Sequence, residues 1–351
     1  MRIAITASPF HLGPSGAALH VAHELLRRGD QPTLMVRDAH PTIAEGSGVP
    51  ITLTPADGAL YAADLVKFVK GADAHLSLMD RDGFRVALHF GIPSVWLELL
   101  AWWKEIQHPH WISKGAALLA ASSIETAEER ARFFPGHADW VGPVVPPSSD
   151  PNPRLEARRG IVVVLGGVDE SRFGLQDRLS ILAHALRQRE LRDAPISIVG
   201  PQDVAVLLSR QLSDRQHIAY GTLPQQRLLD LMANSTIMVA TPGLSAPMEA
   251  WAVGTPVVFS GPLSLSQDLQ LRRFVNSNAI DSGPDGASAF DSGRYWNSLK
   301  ERVRAAYTDA GVWQHHRRRG YRFLSDHGNS GIGSIADTLE VVAANHSRGW
   351  G

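Results

Sequence analysis

Residues 220–268 read YGTLPQQRLLDLMANSTIMVATPGLSAPMEAWAVGTPVVFSGPLSLSQD. Leu228, Leu229 and Met232 recur at helical spacing over 227–232. A short apolar run follows over 236–240, then a Thr-Pro-Gly-Leu-Ser turn, a helical stretch over 247–252, and a second apolar run over 256–260. A strand, a turn, a helix and a strand in that order make a βαβ unit. Strands that are apolar along their whole length, rather than alternating, belong to a parallel sheet covered on both faces.

The same alternation extends outward in both directions. Downstream of a Pro-rich stretch at 141–153, VGPVVPPSSDPNP, strands are expected at 161–165, 196–199 and 218–220, with helices at 175–190 and 205–211. Proline there breaks both helix and central strand, so that stretch reads as a linker. Upstream, strands are expected at 2–7, 31–36, 74–78, 92–96 and 116–121. Helices are expected at 16–28, 85–90 and 125–133, the last capped by Ser122 or Ser123. The fold class is therefore α/β, with two doubly wound domains. The expected division is 1–145 and 160–330, with a linker at 146–159 and a final helix within 331–351.

The bulk numbers fit this. A chain of 351 residues exceeds one ordinary core. A formal net charge of −1 argues against a general polyanion binder. The absence of cysteine removes disulfides, thiolate metal sites and cysteine nucleophiles. The opening MRIAITASPF reads as a buried strand rather than a signal peptide, and no apolar run approaches the roughly 20 residues of a membrane span. A cytoplasmic protein is expected. Gln107-His108-Pro109-His110 is not a convincing metal site, because the proline breaks helical pairing of the histidines. The basic run 315–319 reads as the solvated face of a late helix.

Several residues have the chemistry to hold an anion. Gly166 and Gly167 end a strand ahead of a helix, where backbone approaches a phosphate closely and the helix dipole favours negative charge. Ser245 is placed to cap the helix after the 241–245 turn or to donate to a phosphate. Glu249 is expected in that helix's first turn, where a carboxylate either stabilises the N-terminus or accepts ribose hydroxyls.

This segment resembles the donor signature of inverting UDP-glycosyltransferases, the group holding UDP-glucosyl and UDP-glucuronosyl transferases and the lipid II-forming N-acetylglucosaminyl transferase. A relation to cytosylglucuronate synthases is one alternative within it. The residues that carry the resemblance are Pro224-Gln225, the Thr241-Pro242-Gly243 turn, Glu249, Gly254-Thr255-Pro256 and Ser266-Gln267. The resemblance implies a GT-B fold, with two Rossmann-like domains facing across a cleft, acceptor domain first and nucleotide-sugar domain second, and a last helix packing back on the first. It implies that Thr222 and Leu223 meet the base and that Thr241, Gly243, Leu244 and Ser245 meet the diphosphate. Glu249 would hold the ribose, and Gln267 the sugar. Thr241 and Ser266 stand where many members carry histidine and aspartate. Phosphate recognition must then lean on backbone N–H groups, and the sugar's identity is left open.

The resemblance further implies a general base in the loop after the first strand. There His11 is the only titratable side chain, and Gly13 lets that loop pass close to the diphosphate. Trp96, Glu98 and Trp102 follow or end a strand where ligands of open α/β sheets collect, and they suit an acceptor. The expected activity is transfer of a sugar from a UDP-sugar to a small molecule with inversion, in secondary-metabolite or cell-envelope biosynthesis. No metal or other cofactor is expected. Nucleic acid is not an expected partner, and homodimerisation is left open. The alternatives are a nucleotide-sugar epimerase or hydrolase, and an inactive pseudo-glycosyltransferase that serves as a binding partner.

Overall fold

Strands such as 161–164, IVVV, carry apolar side chains on both faces, so each must be sandwiched between helices. The computed structural model arranges them accordingly. It describes residues 1–8, 13–37, 41–54, 58–101, 110–125, 128–130, 138–147, 155–167, 174–277, 279–280 and 296–347. The chain divides into two compact units, residues 1–147 with 327–351, and residues 148–326.

The first unit is a seven-stranded parallel sheet. Its strands are β1 (Arg2–Ala7), β2 (Gln31–Arg37), β3 (Ile51–Thr54), β4 (Ala74–Leu78), β5 (Ser94–Glu98), β6 (Ala117–Ala121) and β7 (Asp139–Val141), in the spatial order β3-β2-β1-β4-β5-β6-β7. Helices α1 (Gly13–Arg27), α2 (Gly58–Val69) and α3 (Arg81–His89) connect them. β3 and β7 were not legible as strands, being short edge strands with polar residues. β5 lies two residues later than the apolar run placed it. Helix α1 begins at Gly13, earlier than expected, because Pro14 fits a first helical turn. The expected helix at 125–133 falls mostly on residues outside those described.

The second unit is a five-stranded parallel sheet of β8 (Ile161–Val164), β9 (Ile196–Val199), β10 (His217–Tyr220), β11 (Ile237–Ala240) and β12 (Val257–Phe259), in the order β10-β9-β8-β11-β12. Its helices are α4 (Leu175–Leu186), α5 (Gln202–Gln211), α6 (Gln225–Asn234), α7 (Ser245–Ala252), α8 (Leu265–Asn276), α9 (Leu299–Thr308) and α10 (Ala310–Asp326). Ile161, Val163, Leu179, Ile196, Ile198, Val239 and Trp313 meet in its core.

The last helix, α11 (Ile332–Ser347), belongs to the first unit. Ile335, Ala336 and Leu339 are buried there with Leu19, Val21 and Leu76. Its entry is tight: a Cβ on Gly331 would lie 2.1 Å from the Gly142 carbonyl oxygen. Arg28, at the end of α1, then clasps the helix through Asp337 at 2.6 Å and Glu340 at 3.2 Å.

Candidate functional site

In each sheet the chain starts at an inner strand, winds to one side, and resumes on the other. The switch in the second unit falls between β8 and β11, the place where ligands of open α/β sheets collect. Gly166 and Gly167 follow β8, and Thr241, Pro242 and Gly243 follow β11. The Gly166 carbonyl ties them together, accepting from the Thr241 hydroxyl at 2.9 Å and from Gln267 Nε2 at 3.4 Å. Gly167 needs its positive φ of 67°. A Cβ on Gly166 would meet nothing within 4 Å, and one on Gly243 nothing nearer than 4.0 Å, so both glycines border open space. The glycine pair is not itself a helix N-terminus, however, since α4 starts only at Leu175.

Helix α7 starts at Ser245, and its cap residue Leu244 makes no side-chain cap hydrogen bond. Ser245 is thus the first helical residue and not the cap, because Pro247 tolerates any position in the first turn. The first backbone N–H groups of a helix have no partner within it, and here the cap residue supplies no side-chain acceptor. Glu249 consequently lies in the second turn rather than the first, so stabilisation of the helix terminus no longer accounts for it. Its side chain is nonetheless buried, 5% exposed, and accepts from Gln225 Nε2 at 3.3 Å. Thr222 and Leu223 occupy the loop between β10 and α6, Thr222 half-buried and Leu223 buried.

The Thr241 hydroxyl, once donated to Gly166, has only lone pairs left for a ligand. Gln267 is likewise held at both ends of its amide: Oε1 accepts from Leu263 N–H at 2.8 Å while Nε2 reaches Gly166. Ser264 caps α8 by accepting from the Gln267 N–H at 3.3 Å. The Ser-x-x-Gln spacing is the sequence signal for such a capping arrangement.

In the first unit the corresponding switch lies between β1 and β4. The loop carrying His11 lies outside the described residues, as does Trp102; Gly13 is present as the first residue of α1. Within this unit sequence reasoning missed a buried polar group. The Thr6 hydroxyl and His75 Nε2 are 3.0 Å apart, Tyr61 donates to Asp80 Oδ2 at 2.7 Å, and Gly83 N–H donates to the same oxygen at 3.2 Å. Burial depresses His75 to about 3 and raises Asp80 above the usual carboxylate range. A histidine inside the apolar β4 run was the available signal.

Trp96 and Glu98 point inward. Trp96 is 2% exposed and packs edge-on against Phe84 at 5.4 Å and Trp111 at 6.5 Å. It is a core residue rather than a pocket wall, because β5 is an inner strand covered on both faces. Glu98 is fully buried, accepts from Leu100 N–H at 2.8 Å, and is pushed up to about 7, chiefly by burial.

No family model matches this chain, and no curated protein sequence does. Solved structures do. TcCGT1 in complex with UDP superimposes with a TM-score of 0.65 at 14% identity, covering 99% of both chains. Os79 from O. sativa in complex with UDP gives 0.64 at 14% identity, over 97% of this chain and 99% of that one. MurG of Acinetobacter baumannii gives 0.55 at 14% identity with the same coverage. This chain has the GT-B fold. The two Rossmann-like units of a GT-B chain account for both switch points, and β8–α7 supplies the elements that border the second. Among the described residues no group of three or more histidine, aspartate or glutamate side chains is placed to hold a metal ion. No helix among them is long and apolar enough to cross a membrane.

Proposed function

We propose that this protein is a glycosyltransferase that takes a sugar from a UDP-sugar and delivers it, with inversion, to a small-molecule acceptor. The observation that carries this is the convergence of Gly166, Thr241 and Gln267 at the β8/β11 switch, beside a helix start without a side-chain cap and a buried Glu249. Uncapped N–H groups at a helix start favour a diphosphate. The backbone of Gly243, Leu244 and Ser245 is assigned to it, with Gly166 and Gly167 leaving room for its oxygens. Thr241 positions the turn, because its proton is already donated. Glu249 is assigned to the ribose hydroxyls, Thr222 and Leu223 to the base, and Gln267 to the sugar. The complexes of TcCGT1 and Os79 with UDP support the nucleotide assignment by likeness of fold.

His11 is assigned as general base. It removes the acceptor proton as the acceptor oxygen attacks the anomeric carbon, and the UDP oxygen leaves with the bonding electrons. No metal or other cofactor has a part in this scheme. We assign Trp102 to the acceptor and Gly13 to the loop that passes close to the diphosphate. The protein is placed in the cytoplasm, in secondary-metabolite or cell-envelope biosynthesis.

Incubation of the protein with a panel of UDP-sugars and candidate acceptors, followed by mass spectrometry, tests the proposal. A product heavier than the acceptor by one glycosyl residue is expected. Free sugar alone, or an epimerised donor alone, would replace transfer with the corresponding alternative, and an unchanged mixture despite tight UDP binding would make the protein a binding partner.

A further inference from the structure

The end of α4 meets the start of α9 over a cavity of about 430 Å³. Its floor is fixed by hydrogen bonds. Buried Gln188 donates through Nε2 to Ala185 O at 2.7 Å and to Lys300 O at 2.8 Å, which ties the two helices. Arg215 donates to the carbonyls of Leu186 and Leu191 from the other side.

The rim is cationic: Arg187, Arg189, Lys300 and Arg304 stand against Glu190 and Glu301. Two of these cations are already engaged, Arg187 with Asp214 at 2.9 Å and Arg304 with Glu190 at 3.8 Å. Arg189 and Lys300 are exposed and have no acidic partner among the described residues. Next to them, sharing His184 and Lys300, a second cavity of about 400 Å³ is lined by Ile181, with Trp296 buried beneath it at 2% exposure. Trp296 is held there by Arg178, whose guanidinium lies 5.2 Å from its ring.

We propose that this paired cavity binds a phosphate monoester with an aromatic or alkyl body. The phosphate lies between Arg189 and Lys300, where charge-assisted hydrogen bonds form without breaking existing ion pairs. The body lies against Ile181 and His184, which line the second cavity. The site is separate from the glycine pair of the β8/β11 switch. That pair precedes the N-terminus of α4, whereas the cavity lies at its C-terminus, and 12 helical residues span about 18 Å.

1-Naphthyl phosphate is the probe, titrated calorimetrically into the full chain with and without excess UDP, with 1-naphthol as the uncharged control. Binding is expected to persist under UDP and in Glu249→Ala, and to weaken roughly tenfold or more in an Arg189→Glu, Lys300→Glu double variant. Both side chains are exposed, and circular dichroism with a single Lys300→Ala variant checks that the fold is kept. Equal affinity in the double variant, equal binding of 1-naphthol, or displacement by UDP overturns the proposal.

Discussion

The Gln225 side-chain amide donates to the Glu249 carboxylate at 3.3 Å, joining the first residue of α6 to the second turn of α7. Both side chains are buried. The amide fixes the direction of the carboxylate. Gln225→Ala is expected to weaken UDP binding by about 1 kcal/mol, the usual size of one hydrogen bond. Calorimetry on the variant checks this, and an unchanged affinity would show that Gln225 does not orient Glu249.

Thr241 is expected to act through the backbone. Its hydroxyl holds the Gly166 carbonyl at 2.9 Å, so Thr241→Val leaves that carbonyl with the longer bond from Gln267 alone. A loss of about 1 kcal/mol in stability is expected, together with weaker UDP binding. Urea denaturation and calorimetry measure the two effects. Full UDP affinity in a destabilised variant would separate the turn from the ligand.

Two buried groups of the first unit titrate far from their usual ranges, in opposite senses. His75, about 3 in the folded chain against 6.5 ordinarily, stays neutral when folded, so its contribution to stability is present above pH 6.5 and is lost as pH falls below it. Glu98, about 7 against 4.5, favours its protonated form when folded, so its contribution falls as pH rises from 4.5 to 7. Each slope is at most about 1.4 kcal/mol per pH unit, and between pH 4.5 and 6.5 they offset one another. Glu98→Gln should therefore gain stability steadily with pH across that interval and exceed the unaltered chain at pH 8. His75→Gln should show the reverse slope. Denaturation midpoints at pH 5, 6 and 8 decide it, and three parallel curves would contradict the assignment.

The C-terminal helix is predicted to depend on its entry and its clasp. Gly331→Ala drives a Cβ into the Gly142 carbonyl, which is backbone and cannot step aside, and should destabilise more than Arg28→Ala. The ion pairs of Arg28 are partly open to solvent, Asp337 being 69% exposed, so their loss should cost no more than about 1 kcal/mol. Hydrogen exchange over residues 332–347 reports both. Equal protection in the two variants would remove the close approach from the account.

Inner strands such as IVVV at β8 and IMVA at β11 were legible because they carry apolar side chains on both faces and have little alternative to a covered parallel sheet. The edge strands were not. β3, ITLT, exposes its two middle residues, and β7 has three residues with only Val141 buried. The site was legible in identity but less so in detail. Pro247 drew the start of α7 two residues late, which misplaced Glu249 by a turn. Trp96 showed its residue type but not its side of the sheet, which depends on packing with Phe84 and Trp111. The Thr6–His75 and Tyr61–Asp80 pairs join residues far apart in sequence and carry no local pattern.

Calorimetric titration of UDP into the unaltered chain and into Glu249→Ala tests the donor site most directly. Saturable one-to-one binding is predicted for the first, weakened by about 1–3 kcal/mol in the second, as expected when a charged hydrogen-bond partner is removed. No heat of binding with the unaltered chain, or the same affinity in both, would contradict the account.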